Sequence, residues 1–239
     1  FRLRASDGIT AGAMTNFAVK ERHAKKIAIL HASDAFGTGG ADQIVLNLQK
    51  LGLQPVANEQ YPKEAKDFTA ELLKIKQSGA DALLMYVQNP SDTAIILQQV
   101  RSLGITIPIV GSPSLANQTA METAGKNANG AYAAVDFIAG FNSPVATHFL
   151  TSFYNRFHHQ PDVGTGSGWV YDAVNMLAYV YKQQNSSDPK QTIASLKKIH
   201  GWEGVLGRFD CDGDGNTVHS VSIGQINDAK LRLVTKVSA

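Results

Sequence analysis

"KIAILHASDAFGTGGADQIVLNLQKLG", residues 26–52, decides how the rest of the chain is read. It opens on an apolar strand, "KIAILH", passes the glycine-rich segment Phe36-Gly37-Thr38-Gly39-Gly40, and enters an amphipathic helix over 41–51. Strand, glycine turn and helix together open a βα unit and invite a nucleotide-binding reading. A dinucleotide fingerprint needs G-x-G-x-x-G, and a Walker loop needs Gly-Lys-Ser/Thr. Neither is present, because the glycines stand at 37, 39 and 40 with an aromatic residue before the first. The segment predicts something simpler: a helix N-terminus whose free N–H groups and positive dipole end face a small anion or polar ligand.

The same alternation runs through the first half. "FRLRA" reads as a strand, followed by a helix from about Thr10 to Arg22. After the opening unit come the strand "QPVANEQY", the helix in "KDFTAELLKIKQSG" and the strand "DALLMYV" at 81–87. A helix at 91–103, the strand "IPIVG" at 107–111, a short helix near 115–124 and the strand "GAYAAVDF" complete the series. Strands alternating with helices of this length predict βαβ crossovers and a parallel sheet covered on both faces. The continuous apolar run Ala82–Val87 fits such a buried strand.

After Asp136 the pattern changes. Helices over about Val145–Phe157, Trp169–Gln184 and "KQTIASLKKIHG" follow with no strands between them, and residues 137–205 show no obvious apolar surface for them to cover. From "GVLGRFDCDGDGN" onward the chain returns to β structure, ending in a hairpin of "HSVSIGQIN" and "KLRLVTKV" through Asn227-Asp228.

Composition narrows the class. The 239 residues are 44% apolar and 18% charged, which is a globular balance. A net charge of +2 without a lysine/arginine block argues against nucleic acid or an acidic membrane as partner. The single cysteine, Cys211, forms no internal disulfide. No leader pattern opens the chain and no apolar run approaches ~18 residues. The abrupt start at Phe1 reads as a mature or trimmed fragment.

Three constellations bear on chemistry. "FDCDGDGN" places Asp210, Asp212, Asp214 and Gly215 like the first half of a calcium loop, but Val221 stands where the closing glutamate belongs. A tight acidic turn between strands is therefore expected. The histidines are scattered, and the adjacent pair His158-His159 has no partner at metal-ligand spacing. No metal or other cofactor is expected, and nucleophile-elbow, Cys/His and zinc-protease patterns are missing, so catalysis is not expected either. Asp34, Asp136 and Asp172 carry no informative spacing, and surface solvation is their default reading.

Phrases spread along the whole chain carry a resemblance. They include "FRLRASDGITAGAM", "KKIAILHASDAFGTGGAD", "KDFTAELLKIKQSGADALLM", "IILQQVRSLGITIPIVG", "AGKNANGAYAAVDF", "VYDAVNMLAYVY" and "GVLGRFDCDGDGN". In this order and spacing the chain resembles the periplasmic substrate-binding proteins of ABC transporters, leucine/isoleucine/valine-binding (type I) class. The resemblance implies an α/β fold of Rossmann-like parallel sheets with flanking helices, in two lobes that close on a small ligand. Mapped onto it, residues 1–136 plus 217–239 correspond to a complete second lobe. Residues 137–216 correspond to the helical contribution to the first lobe, whose N-terminal segment is missing, so that lobe is only partial. A second chain covering helices 145–200 is one expected answer to the absent sheet, and a truncated or proteolysed chain is the other.

The resemblance also implies a site. Phe36 with Gly37, Gln88 at the tip of "DALLMYV", Ser112, Pro113, and more weakly Thr165 and Trp169, occupy positions that line the ligand cleft. Members binding α-amino acids carry a glutamate where this chain has Pro113, which favours a small carboxylate without an amine, stacked on Phe36; Asp34 is a weak substitute partner for an ammonium. The implied role is that of an extracytoplasmic (periplasmic) solute-binding protein delivering an amino acid or an aromatic or aliphatic acid to a membrane permease. A sensory ligand-binding domain of the same fold is the alternative, and a nucleotide-dependent α/β enzyme a more distant one.

Overall fold

The computed structural model describes residues 1–138, 143–161 and 166–237. Its centre is strand β1, Ile27–Ala32, all six of whose residues are buried. A strand buried on both faces has to be apolar on both, and "IAILHA" is, apart from His31. It lies between β2 (Ala57–Tyr61) and β3 (Ala82–Tyr86), parallel to both. Strands β4 (Ile109–Gly111) and β5 (Tyr132–Val135) extend the parallel array beyond β3.

Alternate side chains of β1 enter two different cores, as the two-residue period of a strand requires. Ile27 and Ile29 pack with α1 (Asp7–Asn16) and α2 (Ala35–Lys50) on one face. Ala28, Leu30 and Ala32 pack on the other face with α3 (Thr69–Gln77), α4 (Pro90–Ser102) and α5 (Gln118–Ala124). The first helix begins earlier than the sequence suggests because Ser6 caps it, and it ends in a wider π turn over Phe17–Glu21. The expected strand at "FRLRA" is reduced to one bridge between Arg2 and Asn216.

The terminal hairpin forms as expected from β9 (Val221–Asn227) and β10 (Lys230–Val237), with Asp228 and Ala229 both at positive φ. Its position is new: β9 pairs antiparallel with β5, so the seven-stranded sheet has the mixed order β10-β9-β5-β4-β3-β1-β2. Its outer strand, β10, carries exposed Lys230 and Arg232 and shifts register between Leu233 and Thr235.

A third core gathers elements from the later part of the chain, with Leu3 and Phe137 joining it from outside them. Helices α6 (Pro144–Phe157), α7 (Ser167–Gln184) and α8 (Pro189–Leu196) pack with the small antiparallel sheet β6 (Trp202–Gly204), β7 (Gly207–Cys211) and β8 (Thr217–Val218). Contrary to the sequence reading, these helices have an apolar core of their own, with Phe149, Met176, Val180, Leu206 and Phe209 at its centre. Strand β8 belongs to this small sheet, so the β structure beginning at 217 joins the large sheet only from β9 onward.

Three chain segments run side by side where the large sheet and the third core meet. Asp136 Oδ1 accepts from the Ala5 N–H at 3.0 Å, and the His219 ring lies 3.9 Å from the same oxygen. His219 is buried, with Nε2 3.0 Å from the Leu3 carbonyl and Nδ1 3.0 Å from that of Ser220. Burial pushes the Asp136 carboxyl up, opposed by the Ala5 N–H, His219 and Arg4. The expectation of a solvated Asp136 is thus overturned, because its carboxylate ties the crossing segments together.

Candidate functional site

The opening segment is where sequence and structure differ most. Phe36-Gly37-Thr38-Gly39-Gly40 is not a turn; α2 already runs from Ala35. Asp34 supplies the reason, since its Oδ1 accepts from the Gly37 N–H at 2.7 Å as an N-cap. The amide expected to face a ligand is therefore taken by this chain's own carboxylate. A Cβ at Gly37 would collide with the backbone of Ala32, and one at Gly40 with the ring of Tyr86. Both glycines serve the close approach of α2 to the sheet. Replacing Asp34 with alanine is expected to cost about 1 kcal/mol, read as an earlier urea midpoint, with asparagine retaining most of the stability.

The remaining expected site residues separate into distinct environments. Phe36 is half-buried, its ring 4.8 Å from that of Tyr86 on the α1/α2 face. Ser112 is fully buried; its hydroxyl donates to the Val87 carbonyl at 2.8 Å and lies 3.3 Å from the Val87 N–H. It fastens the ends of β3 and β4 together and has no group left over for a ligand. Pro113 starts a short 3-10 turn beside it. Trp169 sits in the first turn of α7 against the third core, and the Tyr171 ring packs tilted against that of Phe149 at 4.9 Å. Thr165 lies outside the described residues.

Gln88 is different, because it opens into a crevice of about 440 Å³ shared with Ala32, Asp34, Lys63, Lys66 and Asp92. These residues follow the carboxyl ends of β1, β2 and β3. After β1 the chain passes to one face of the sheet as α2, and after β3 to the other as α4. The two helices leave adjacent strands in opposite directions, which opens a gap between them. In open α/β sheets this switch point is where ligands bind. A second cavity of about 450 Å³ lies between α7, α8 and β6, but no strand ends converge there.

The crevice also contains residues that sequence reasoning missed. Asp92 is 2% exposed, and its Oδ1 has no hydrogen-bond partner. Tyr61, which is buried and outside the crevice lining, sets its hydroxyl against Asp92 and favours the carboxylate's charge. Burial pushes the Asp92 carboxyl up; Lys66 and Tyr61 act against that shift, and Glu64 and Asp34 add to it. A signal was available, because Asp92, Ile96 and Val100 fall at four-residue spacing on the buried stripe of α4.

Elsewhere the acidic turn forms as expected. Asp212 Oδ1 accepts from the Asp214 and Asn216 N–H groups at 2.8 and 3.0 Å, and Oδ2 accepts from the Asn216 amide at 2.7 Å. These bonds, led by those from Asn216, hold the Asp212 carboxyl low. Asp210 points elsewhere, to the Gly201 N–H and His200.

With this architecture in place, the comparisons with known proteins can be stated. A periplasmic binding protein family model matches residues 1–230, and the chain belongs to that family. An amino acid binding protein of Pseudomonas aeruginosa is 26% identical over 224 residues, covering 90% of this chain and 57% of the relative. The chain thus spans little more than half of that relative's length.

Two solved structures share the fold. One is a branched-chain amino acid transporter substrate-binding protein from Streptococcus pneumoniae in complex with isoleucine. It has a TM-score of 0.83 at 24% identity, over 98% of this chain and 66% of that one. The other is an ABC transporter solute-binding protein from R. palustris in complex with 4-hydroxybenzoate, with a TM-score of 0.83 at 18% identity, over 98% of this chain and 65% of that one. The mostly parallel α/β architecture is that of the type I periplasmic binding proteins.

Proposed function

We propose that this chain is part of an extracytoplasmic solute-binding protein of an ABC transporter, and that it captures a small carboxylate-bearing ligand for a membrane permease. The observation that carries the reading is the crevice at the sheet's switch point, in a chain of the periplasmic binding protein family. The chemistry is binding rather than catalysis: desolvation, hydrogen bonding and a shift of population toward a closed state. Gln88 lines the crevice, and the partly exposed Phe36 ring sits on the same α2 turn as Asp34. The two structural neighbours hold an amino acid and an aromatic acid, which are the two ligand classes the reading admits.

The division into a large α/β lobe and a helical part of a second lobe is part of the same proposal. Val170, Val174, Leu177 and Tyr181 form an exposed apolar row along α7 at helical spacing. The rest of a two-lobed protein, or a second chain, would pack on this row. Among the described residues no helix is long and apolar enough to cross a membrane.

A thermal-shift screen of the full-length protein, with amino acids set against aromatic and aliphatic acids, tests the function. Stabilisation by at least one small acid is expected while nucleotides give none. Protection by nucleotides alone would overturn the reading.

A further inference from the structure

Both ring nitrogens of the buried His219 face carbonyl oxygens at the point where the chain passes between its cores. Among the described residues, three passages link the large sheet to the third core. Residues 3–5 lead into α1, 136–137 leave β5, and 218–221 run from β8 into β9. His219 touches all three. Its Nε2 lies 3.0 Å from the Leu3 carbonyl and 3.9 Å from Asp136 Oδ1, and its Nδ1 lies 3.0 Å from the Ser220 carbonyl. Asp136 adds a further tie, since the same Oδ1 accepts from the Ala5 N–H.

A neutral imidazole cannot complete this arrangement. It has one N–H and one lone pair, so either tautomer turns a lone pair toward a carbonyl oxygen. The imidazolium has two N–H groups and donates to both. Its charge has partners as well. Asp136 stands beside the ring, and Asp172 on α7 acts on it from the third core. Burial pushes both carboxyls up, and His219 is among the groups that oppose that push in each. Arg4, a second cation acting on Asp136, is half exposed and lies 3.9 Å from Asp7. On β7 the Phe209 ring packs against the imidazole at 5.0 Å and brings no charge.

We propose that His219 is a proton-operated clasp on the three passages, closed when the ring carries both protons and open when it is neutral. Loss of the second proton sets a lone pair against Leu3 or Ser220 and removes the counter-charge of Asp136. The Leu3 contact matters most, because it joins residues 216 apart in sequence, whereas Ser220 is a neighbour. The folded protein offers the second proton two acceptors and a carboxylate, and the unfolded chain offers it water. The clasp is therefore complete below the ordinary histidine value of about 6.5, and it is lost as pH rises above that value. Under the solute-binding reading these passages bend when the lobes close, so a neutral ring eases closure. Only that consequence rests on the solute-binding reading.

Two measurements on the full-length protein test the clasp. A magnetic resonance spectrum of nitrogen-labelled histidine reads the protons on each ring nitrogen. Both His219 nitrogens should be protonated at about pH 6, and one should have lost its proton by about pH 8.5. Hydrogen exchange at the Ala5 amide reads the passages themselves. Its protection factor, with the intrinsic pH dependence divided out, should fall about 10-fold or more over the same interval. In His219→Gln, whose amide donates to Leu3 at every pH, that fall should disappear. The native spectrum decides the matter if this variant does not fold. A ring already neutral at the lower pH, a ring that keeps both protons at the higher one, or an equal fall in the variant overturns the clasp. Each of these leaves the solute-binding reading standing, since the acid screen alone decides that.

Discussion

Replacing Gly40 with valine is expected to destabilise the protein by about 3 kcal/mol or more, seen as loss of cooperative folding or a large fall in urea midpoint. A Cβ at this position would fall inside the Tyr86 ring. That ring has nowhere to go: Tyr86 is fully buried and its hydroxyl donates to Asp7 Oδ1 at 2.9 Å. It also supports Phe36, so a displaced Tyr86 would disturb the α2 turn beside the crevice. The adjacent glycine supplies the control. A Cβ at Gly39 meets nothing within 4 Å. Alanine there should gain up to about 1 kcal/mol from helix propensity alone. Neighbouring glycines in one helical turn are thus expected to respond with opposite signs. A destabilised Gly39→Ala, or a well-tolerated Gly40→Val, would contradict the packing of α2 on β3.

Asp172→Ala carries the second large effect. Asp172 is fully buried in α7, where Oδ1 accepts from the Val205 N–H at 2.7 Å and Oδ2 from the Leu206 N–H at 3.0 Å. Alanine leaves both donors buried and unpaired, at a cost of about 3 kcal/mol. For a chain of this length that lowers the melting temperature by about 6–12 °C. The native carboxyl is pushed up by burial, against the pull of those two N–H groups. The folded protein therefore holds this proton where the unfolded chain, with its value near about 4, has released it. Stability from this group falls as pH rises through that interval. Asp172→Ala should flatten this part of the pH profile while lowering stability across it. An unchanged midpoint at pH 7 would mean that the 205–206 turn finds its hydrogen bonds elsewhere.

Periodicity made most of the large sheet and its helices readable. β1 and β3 announce themselves as apolar runs, and α3 and α4 show their stripes, because a strand covered on both faces and a helix covered on one leave different patterns. The glycine segment was misread for the converse reason. Taken alone, three glycines and an aromatic residue look like a turn; the Asp34 cap makes the segment the start of a helix, and the closeness of Ala32 and Tyr86 is why two of its residues are glycine. Asp34, Asp136 and Asp172 were invisible as structural residues, since each one's partners include residues elsewhere in the chain or backbone amides without any sequence signature. The third core was missed because its strands are very short and follow its helices. Within the crevice, Gln88 was legible from its place at a strand tip, whereas Asp92 needed the observation that a charge sits on a buried stripe.

The outer strand of the large sheet has a consequence for how copies of this protein meet. An open strand edge is a template on which another chain can hydrogen-bond. Here β10 presents Lys230 and Arg232, and its break in register between Leu233 and Thr235 interrupts the regular ladder. A like-charged neighbour approaching this edge is repelled, and one that arrives finds no long straight run to extend. Charge and bulge thus disfavour strand addition at the two ends of an edge whose middle, Leu233 and Val234, is exposed and apolar.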